Sequence, residues 1–315
     1  MKEQTFPKSL PDDDKILWKF AECAQSNDPL KLTSIFCHKH YSIKMHTHDY
    51  FEVNFVVSGK GMHYTEVGST PVKAGDVFVI RPFDKHGYLE AENFNVFHLC
   101  IEKNFFNKYY ADLNLLPGFP LLFGIEPKMR RYKNSYPYFC IDGDDFKHIK
   151  DLFDSLDFIE HKHGMLDYIN MYGMSLMLIS TLCQLYYERI SSLAKSKADI
   201  DGRDDKYMSI FLALDYIHKN YAQKISLDDL LKVALLSKNV FYKEFENYVG
   251  KTPFDYINRY RILQSKRLLT ETNKSITEIS YTVGFYDESY FLKTYKKFEG
   301  ISPSKFRETL KINRI

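Results

Sequence analysis

The hydrophobic and polar positions along the chain divide it into three zones of different spacing. Between about Leu32 and Glu102, short runs of β-branched and aromatic residues are separated by turn sequences such as Ser-Gly-Lys-Gly. From Asp144 to about Leu193 the apolar residues recur with helical spacing, which predicts two helices joined near Gly164. We therefore predict an α+β chain of several domains, which begins with an antiparallel β-barrel or sandwich and continues with a helical pair.

The third zone, which begins near Lys206, is helical to its end and contains an internal repeat. Segments 225–245 and 275–295 follow the same plan of a short helix, a tight turn and a second helix. Ser237 and Asp287 are the expected N-terminal caps of the second helices, and they lie 50 residues apart. The repeat predicts two equivalent helix-turn-helix units in one all-α domain.

The second helix of a helix-turn-helix unit enters the major groove of DNA, where side chains near its N-terminus reach base edges. Phe241 and Phe245 in the first unit, and Phe291 and Tyr295 in the second, have the spacing of inward-facing residues. The residues expected on the outer side, and therefore at the DNA, are Asn239, Tyr242, Lys243, Glu288, Ser289 and Lys293. The lysines of this set suit bases and phosphates equally well. The intervening segment is expected to be a rigid helix that separates the two recognition helices by roughly 34 Å.

The changes of pattern also set the expected domain boundaries. Segment 194–205 is polar and has no apolar period, which is typical of a linker. The helical pair before it could pair with that of a second subunit or pack against its own barrel, and these alternatives are compatible. The predicted domains are an N-terminal arm (1–31), a barrel (32–143), a helical pair that is a candidate for dimerisation (144–193), a linker (194–207) and a DNA-binding domain (208–315).

Composition adds information about partners and compartment. The net charge is only +2, but Lys and Arg outnumber Asp and Glu from Lys206 onward, whereas the preceding part is acidic. This asymmetry favours a basic module that binds nucleic acid. The 5 cysteines form no Cys-x-x-Cys pair, so neither a disulfide framework nor a thiolate zinc site is expected. The N-terminus lacks a signal-peptide pattern and no apolar run has membrane-spanning length, so we predict a cytoplasmic protein without a membrane partner.

Candidate chemistry in the barrel zone lies mainly on one predicted strand, 45–59. His46, His48 and Glu52 alternate along it with Tyr50 and Asn54, so all five are expected on one polar face. A further histidine follows a proline turn downstream. The expected result is a polar ligand pocket lined by His46, His48, Glu52 and His86, with no metal or cofactor assigned. Three imidazoles and a carboxylate would also suit a metal ion, and the spacing does not decide between the two.

The last helix-turn-helix unit resembles the C-terminal signature of the AraC/XylS family of transcription regulators. The matching residues are Ser275, Ile276, Glu278, Ile279, Gly284, Phe285, Ser289, Tyr290, Phe291, Lys296, Lys297, Gly300, Ser302, Pro303, Phe306 and Arg307. About a third of the chain carries the strong resemblance. It implies a ligand-responsive activator of carbohydrate or small-metabolite genes that binds double-stranded DNA as a homodimer, responds to a small effector such as a sugar, and acts on RNA polymerase. Glu244 and Ser265 depart from the family pattern, and Glu244 is expected to weaken the first recognition helix.

The histidine pattern in turn resembles that of the cupin barrels, and the family's sensor domain is a similar barrel. In metal-dependent cupins these four positions bind iron, manganese or zinc, which implies an alternative function as a metal-dependent cupin enzyme with a helical DNA-binding tail. No other acid–base pair or nucleophile stands out in the sequence, so we do not expect an enzyme. Trp18, the sole tryptophan, would either close over a ligand or pack on the barrel.

Overall fold

The computed structural model describes residues 17–24, 31–40, 43–128, 139–160, 165–197 and 206–312. The chain divides into two compact units. The N-terminal unit comprises Met1–Tyr110 and Glu126–Leu182, and the C-terminal unit comprises Ala111–Ile125 and Cys183–Ile315. Within the described residues, no helix is both long enough and apolar enough to cross a membrane.

The N-terminal unit contains the β-strands of the described chain. The strands are β1 (Leu17–Trp18), β2 (Thr33–His40), β3 (Ile43–His48), β4 (Phe51–Thr65), β5 (Gly68–Lys73), β6 (Asp76–Ile80), β7 (His86–Ile101) and β8 (Phe139–Cys140). The helices that lie in this unit or begin in it are α1 (Phe20–Cys23), α2 (Lys103–Leu113), α3 (Gly143–Glu160) and α4 (Met165–Lys197). The predicted β-rich domain followed by two helices is confirmed.

The strands form one eight-stranded sheet in which the two longest strands, β4 and β7, pair antiparallel. Strand β7 also pairs with β2 and β3, and β4 also pairs with β5 and β6, so these two strands organise the whole sheet. Only the short contact between β1 and β3 is parallel among the described pairings. Three register shifts interrupt the β4–β7 ladder between Val56 and Met62.

Alternating side chains give the sheet two buried faces. On one face, Phe55 of β4 and Phe97 of β7 stack on Phe153 of α3, with ring centroids 5.4 and 5.2 Å apart. Burying an aromatic side chain of this size contributes about 1.5–3 kcal/mol, so this stacked layer stabilises the packing of α3 on the sheet. The other face carries the cluster Val56, Val72, Phe78, Ile80, Tyr88, Phe94 and Val96.

The predicted single strand through the histidines is wrong. Strand β3 ends at His48, and β4 begins at Phe51 after a bend. The bend forms because the Asp49 carboxylate accepts a hydrogen bond of 2.8 Å from the Phe20 amide in the N-terminal segment. Tyr50 packs in a cluster with Phe20 and Cys100, and its ring stacks on His48 with centroids 4.2 Å apart. Cys100 is the cross-strand partner of Glu52, so Tyr50 remains on the side of the sheet that carries Glu52.

The C-terminal unit is helical. The segment Pro120–Ile125 forms a π-helical turn, and the remaining helices are α5 (Lys206–Asn220), α6 (Leu227–Ala234), α7 (Lys238–Val249), α8 (Pro253–Glu271), α9 (Ile276–Thr282), α10 (Glu288–Glu299) and α11 (Pro303–Ile312). Helix α4 continues to Lys197, so its last four residues belong to the segment that was predicted as a linker. Residues 198–205 of that segment lie outside the described residues.

The predicted repeat is confirmed at the level of single residues. Helices α6 and α9 both begin with a capping box, in which Ser226 exchanges hydrogen bonds with Asp229 and Ser275 with Glu278. Residues 241–250 and 291–300 have the same succession of buried, half-buried and exposed positions. Since this succession fixes which side of each helix faces the core, α7 and α10 present equivalent surfaces.

The two tight turns differ in detail. The first uses Leu235 in the left-handed conformation, at φ 53°. The second uses Gly284 at φ 90°, where a β-carbon would lie 2.4 Å from the Tyr221 carbonyl oxygen, so glycine is required for close packing. The capping residues differ too. Asp287 accepts hydrogen bonds from two backbone amides of α10, whereas the side chain of Ser237 makes no capping hydrogen bond.

A buried histidine makes the stability of the C-terminal unit depend on pH. The His218 Nε2 lies 2.8 Å from the Tyr256 hydroxyl, and its ring stacks on Tyr260. Burial lowers the pKa of His218 from 6.5 to about 4. As the pH falls below about 6.5, His218 becomes protonated in the unfolded state but stays neutral in the folded state. The free energy of unfolding is therefore highest above pH 6.5 and decreases as the pH falls toward 4.

We expect the free energy of unfolding to drop by roughly 2 kcal/mol between pH 7 and pH 5 because of His218 alone. Urea unfolding at a series of pH values measures this drop. The His218→Gln variant should lose that part of the pH dependence, whereas His148→Gln, a change at an exposed position on α3, should retain it. An identical pH dependence in all three proteins would contradict the assignment.

Candidate functional site

A buried carboxylate with three histidines around it occupies the interior of the N-terminal unit. Glu52 of β4 is 2 % exposed. Its Oε1 lies 3.2 Å from His98 Nδ1, and its Oε2 lies 3.4 Å from His86 Nε2 and 3.9 Å from His48 Nε2. Asn54 donates a hydrogen bond of 3.1 Å to the same Oε2. Strands β3, β4 and β7 thus each contribute to one polar cluster, which we call the Glu52 cluster.

Backbone carbonyls orient the histidine rings of this cluster. His48 Nδ1 lies 2.7 Å from the Tyr50 oxygen, and His86 Nδ1 lies 3.4 Å from the Asp84 oxygen. A carbonyl oxygen only accepts hydrogen bonds, so Nδ1 of each ring carries the hydrogen and donates it. The Nε2 atom of each ring is then the one that faces the carboxylate of Glu52.

His46 is next to this arrangement but has a different neighbour. Its ring stacks on Trp18 with centroids 4.1 Å apart, and its Nδ1 lies 3.0 Å from the Lys44 oxygen. The ring centroid of His46 is 4.3 Å from that of His86. Trp18 therefore packs on the sheet through His46, which is one of the two roles considered for it.

Burial and neighbouring charges shift the titration of the cluster. Burial lowers the pKa of His46 to about 3 and that of His48 to about 4, and the proximity of His86 lowers both further. Burial alone would raise the pKa of Glu52, but the charge of His98 and the hydrogen bonds from His86 and His98 outweigh it and hold that pKa well below its usual value. The surroundings of Glu52 therefore favour its ionised carboxylate, whereas burial disfavours the protonated forms of His46 and His48.

Three residues beside the Glu52 cluster are absent from the predicted site. His98 joins through Glu52, and Tyr88 donates a hydrogen bond of 3.2 Å to the Asn54 side chain. His63, which is 1 % exposed, lies with its ring centroid 5.8 Å from that of His86. The even spacing of His98 and Tyr88 from His86 along β7 is a signal that could have identified them.

A surface cleft of the N-terminal unit includes one residue of the cluster in its lining. Its lining residues are Thr65, Glu66, Val67, Val79, Ile80, Asp84, Lys85, His86 and Pro127. His86 is common to the cleft and the Glu52 cluster. Ion pairs engage three charged residues of the lining, because Lys85 pairs with Glu66 at 2.8 Å and Asp84 pairs with Arg81 at 2.9 Å. A small molecule in this cleft could therefore reach the ring of His86.

The recognition helices place most of the predicted DNA-contacting residues on the surface. Phe241, Phe245, Phe291 and Tyr295 are completely buried, as predicted. Of the six outward residues, the exposed ones are Asn239, Lys243, Ser289 and Lys293, and the half-buried ones are Tyr242 and Glu288. Glu288 is engaged within the unit, because its carboxylate accepts a hydrogen bond of 2.9 Å from the hydroxyl of Thr277.

The expectation that Glu244 weakens the first recognition helix has no structural basis. Glu244 is 8 % exposed, and its carboxylate pairs with Lys206 at 3.2 Å, so its charge is directed into the unit. The corresponding position of the second repeat is Thr294, which is also buried. Ser265 is accommodated too, since its hydroxyl donates a hydrogen bond of 2.7 Å to the Ile262 carbonyl.

Comparison with known proteins identifies both units. Residues 33–163 match the AraC-like ligand binding domain, and residues 230–309 match a helix-turn-helix domain. An uncharacterized HTH-type transcriptional regulator, YdeC of Bacillus subtilis, is 28% identical over 277 residues, covering 84% of this chain and 86% of its own. The HTH-type transcriptional activator RhaS of an Enterobacter species is 23% identical over 265 residues, covering 84% of this chain and 87% of its own.

Among solved structures, the DNA-binding domain of the global transcriptional factor AdpA in complex with a target DNA is similar. It is 22% identical with a TM-score of 0.32, and the match covers 36% of this chain and 97% of that chain. The two domain matches define a regulator with a ligand-binding domain and a helix-turn-helix DNA-binding domain. The chain belongs to the AraC family of transcription regulators.

Proposed function

We propose that this regulator is an activator of carbohydrate or small-metabolite genes whose N-terminal unit senses a small molecule. The observation that carries the proposal is the combination of two equivalent recognition helices with a separate unit that contains a cleft and a buried polar cluster. In such a chain an effector site and a DNA site can be coupled. An effector that binds one conformation of the protein more tightly than another increases the population of that conformation, and so changes how much of the protein can bind DNA. The carbohydrate assignment follows the family resemblance.

The DNA contacts proposed here are Asn239, Tyr242, Lys243, Glu288, Ser289 and Lys293. The exposed members of this set support it, since they lie near the N-terminal ends of α7 and α10. The proposed effector site comprises His46, His48, Glu52 and His86. His86 supports this assignment because it is the member of the set that also lines the cleft.

The effector site is tested by thermal unfolding of the whole chain with a panel of sugars. A sugar at 100 times its dissociation constant should stabilise the protein by about 2.7 kcal/mol, which is a readily measured rise in the unfolding temperature. The His86→Ala variant should lose the response, and the exposed change His148→Ala should keep it. A response that survives in His86→Ala would place the effector elsewhere.

We propose that the chain is a homodimer held by helices α3 and α4. One side of the pair is apolar and exposed in the N-terminal unit: Phe158 is 68% exposed, Leu166 74%, Ile169 61% and Met177 45%. Leu166, Ile169 and Met177 follow helical spacing on α4, which makes a continuous stripe about three turns long. Contiguous exposed apolar surface of this kind is typical of protein interfaces.

Placing a charge in this stripe is expected to dissociate the dimer. The Ile169→Asp variant should elute as a monomer at concentrations where the unchanged protein is a dimer, with its affinity for a second subunit reduced at least tenfold, because the carboxylate would have to be buried. Analytical ultracentrifugation measures this. The change His148→Asp at an exposed position on α3 introduces the same charge outside the stripe and should leave the dimer intact. A dimer in both variants would contradict the proposed interface.

We further propose that the protein is not an enzyme and acts in the cytoplasm, where its DNA is. The similar proteins named above as transcription regulators support this assignment. As an activator it would act on RNA polymerase near its DNA site. Purified protein should bind double-stranded DNA of selected sequence and should turn over no substrate. Strong sequence-independent binding alone would contradict the proposed role in regulation.

A further inference from the structure

We propose that the Glu52 cluster is a binding site for one divalent transition-metal ion, held by His48, Glu52 and His86. Their three ligand atoms lie within 4.8 Å of one another and all three residues are buried. The proposal deepens the proposed function by adding a metal ion to three residues of the proposed effector site. Only the regulatory consequence rests on that function, since metal binding follows from the geometry of the cluster.

The first argument is the orientation of the two histidine rings. The Nδ1 atoms of His48 and His86 face backbone carbonyls, so the Nε2 atom of each ring is the one turned toward the Glu52 carboxylate. His48 is 0 % exposed, and no described residue forms a hydrogen bond with its Nε2. Two imidazole nitrogens and a carboxylate oxygen therefore converge in a buried site, and a metal ion among them would supply the partner that His48 Nε2 lacks. Carbonyl-bound imidazoles are also the usual arrangement of metal-binding histidines.

The second argument is the spacing. Ligands about 2.1 Å from a tetrahedral ion are about 3.4 Å from one another. Glu52 Oε2 is 3.4 Å from His86 Nε2 and 3.9 Å from His48 Nε2, close to this value. The other oxygen of Glu52 is held by His98, whose ring is stacked on Phe36 at 4.7 Å, so the carboxylate is oriented before an ion arrives.

The ligand set selects a class of metal. Two imidazoles and one carboxylate suit Zn²⁺, Co²⁺ and Fe²⁺, whereas Mg²⁺ and Ca²⁺ prefer sites made of oxygen ligands. Three protein ligands leave a fourth position open. The cleft that reaches His86 offers an entry path and a place for that fourth ligand. His46 is excluded from the set because its ring is stacked on Trp18.

A bound ion would connect three strands and the segment before them. His48 ends β3, Glu52 lies near the start of β4, and His86 begins β7. Trp18 of β1 pairs with His48 in the sheet, so fixing His48 also fixes the described part of the N-terminal segment against β3. This connection is the step by which metal binding would become a change of conformation in the N-terminal unit.

The test counts metal in the full-length protein. The full-length protein is first treated with a chelator, then loaded with Zn²⁺ and desalted. The amount of zinc that remains bound per chain is measured by elemental mass spectrometry. We expect about one ion per chain, none with Mg²⁺, and an affinity at least 100-fold lower in His48→Ala and in Glu52→Gln. The control His148→Ala, at an exposed position, should bind like the unchanged protein. Retention of no ion, or equal binding in all variants, overturns the proposal.

Two further measurements keep the outcome decisive. Co²⁺ loading of the unchanged chain should give the intense visible absorption of a four-coordinate ion even if a variant fails to fold, and its absence overturns the proposal. DNA binding by the chelator-treated chain is measured in parallel. Sequence-specific DNA binding without metal binding would reject the metal site and leave the proposed function standing. Metal binding without any DNA binding would support the metal site and reject the proposed function.

Discussion

Replacing Phe291 by alanine is expected to destabilise the C-terminal unit by about 3–5 kcal/mol and to abolish DNA binding. Phe291 is completely buried in a cluster that joins α8, α9 and α10. Its ring packs 5.2 Å from that of Phe285 and 5.8 Å from that of Tyr295. Removing the ring leaves a cavity at the point where the recognition helix is attached. Since the free energy of unfolding of a whole domain is only about 5–15 kcal/mol, this loss removes a large part of the stability of the unit.

Urea unfolding followed by circular dichroism measures the effect of Phe291→Ala. Phe254→Ala is the matched control, because it removes the same ring from a position on α8 that is 39% exposed. Its effect should stay below about 1 kcal/mol. By the repeat, Phe241→Ala should be as damaging as Phe291→Ala, since Phe241 is equally buried. Equal stability of the Phe291 and Phe254 variants would mean that α10 is not anchored by its phenylalanine.

Replacing Lys293 by alanine is expected to lower the affinity for specific DNA by about 1–3 kcal/mol, or about 5- to 150-fold, if Lys293 contacts a base. Lys293 is exposed on α10, and Lys243 has the equivalent position on α7. Contact with a phosphate instead would weaken binding to all sequences alike and reduce the slope of log affinity against log salt by about 1. Fluorescence anisotropy at several salt concentrations distinguishes these two contacts.

The control for this experiment is Lys219→Ala, which removes the same charge from helix α5. Lys219 forms an ion pair of 2.7 Å with Asp215, outside both helix-turn-helix units. Its loss should change DNA affinity little. An affinity that is unchanged in Lys293→Ala, or reduced equally in both variants, would remove Lys293 from the recognition surface.

The C-terminal fold could be predicted because its signals are local. Capping residues, apolar spacing and the 50-residue offset each lie within a few turns of helix, and the structure repeats them residue by residue. The burial of Glu244 could not be predicted in this way. It depends on Lys206, a residue far away in sequence that supplies the compensating charge.

The site in the N-terminal unit was only partly predictable for a related reason. His63 lies 11 positions after Glu52 on β4, an odd offset, so simple alternation places the two side chains on opposite faces. Register shifts between Val56 and Met62 reverse the alternation and bring His63 inside. The bend at Asp49 depends likewise on the amide of Phe20, a contact that no pattern within the strand predicts.

Selection of binding sites from a random pool of double-stranded DNA, followed by footprinting of the recovered sequences, tests the central claim most directly. Two equivalent recognition helices predict a site with two conserved blocks centred roughly 34 Å apart, one turn of DNA. Phe291→Ala should recover no such site. Recovery of sequences without a common motif, with equal affinity for every duplex, would contradict the assignment of this chain as a sequence-specific regulator.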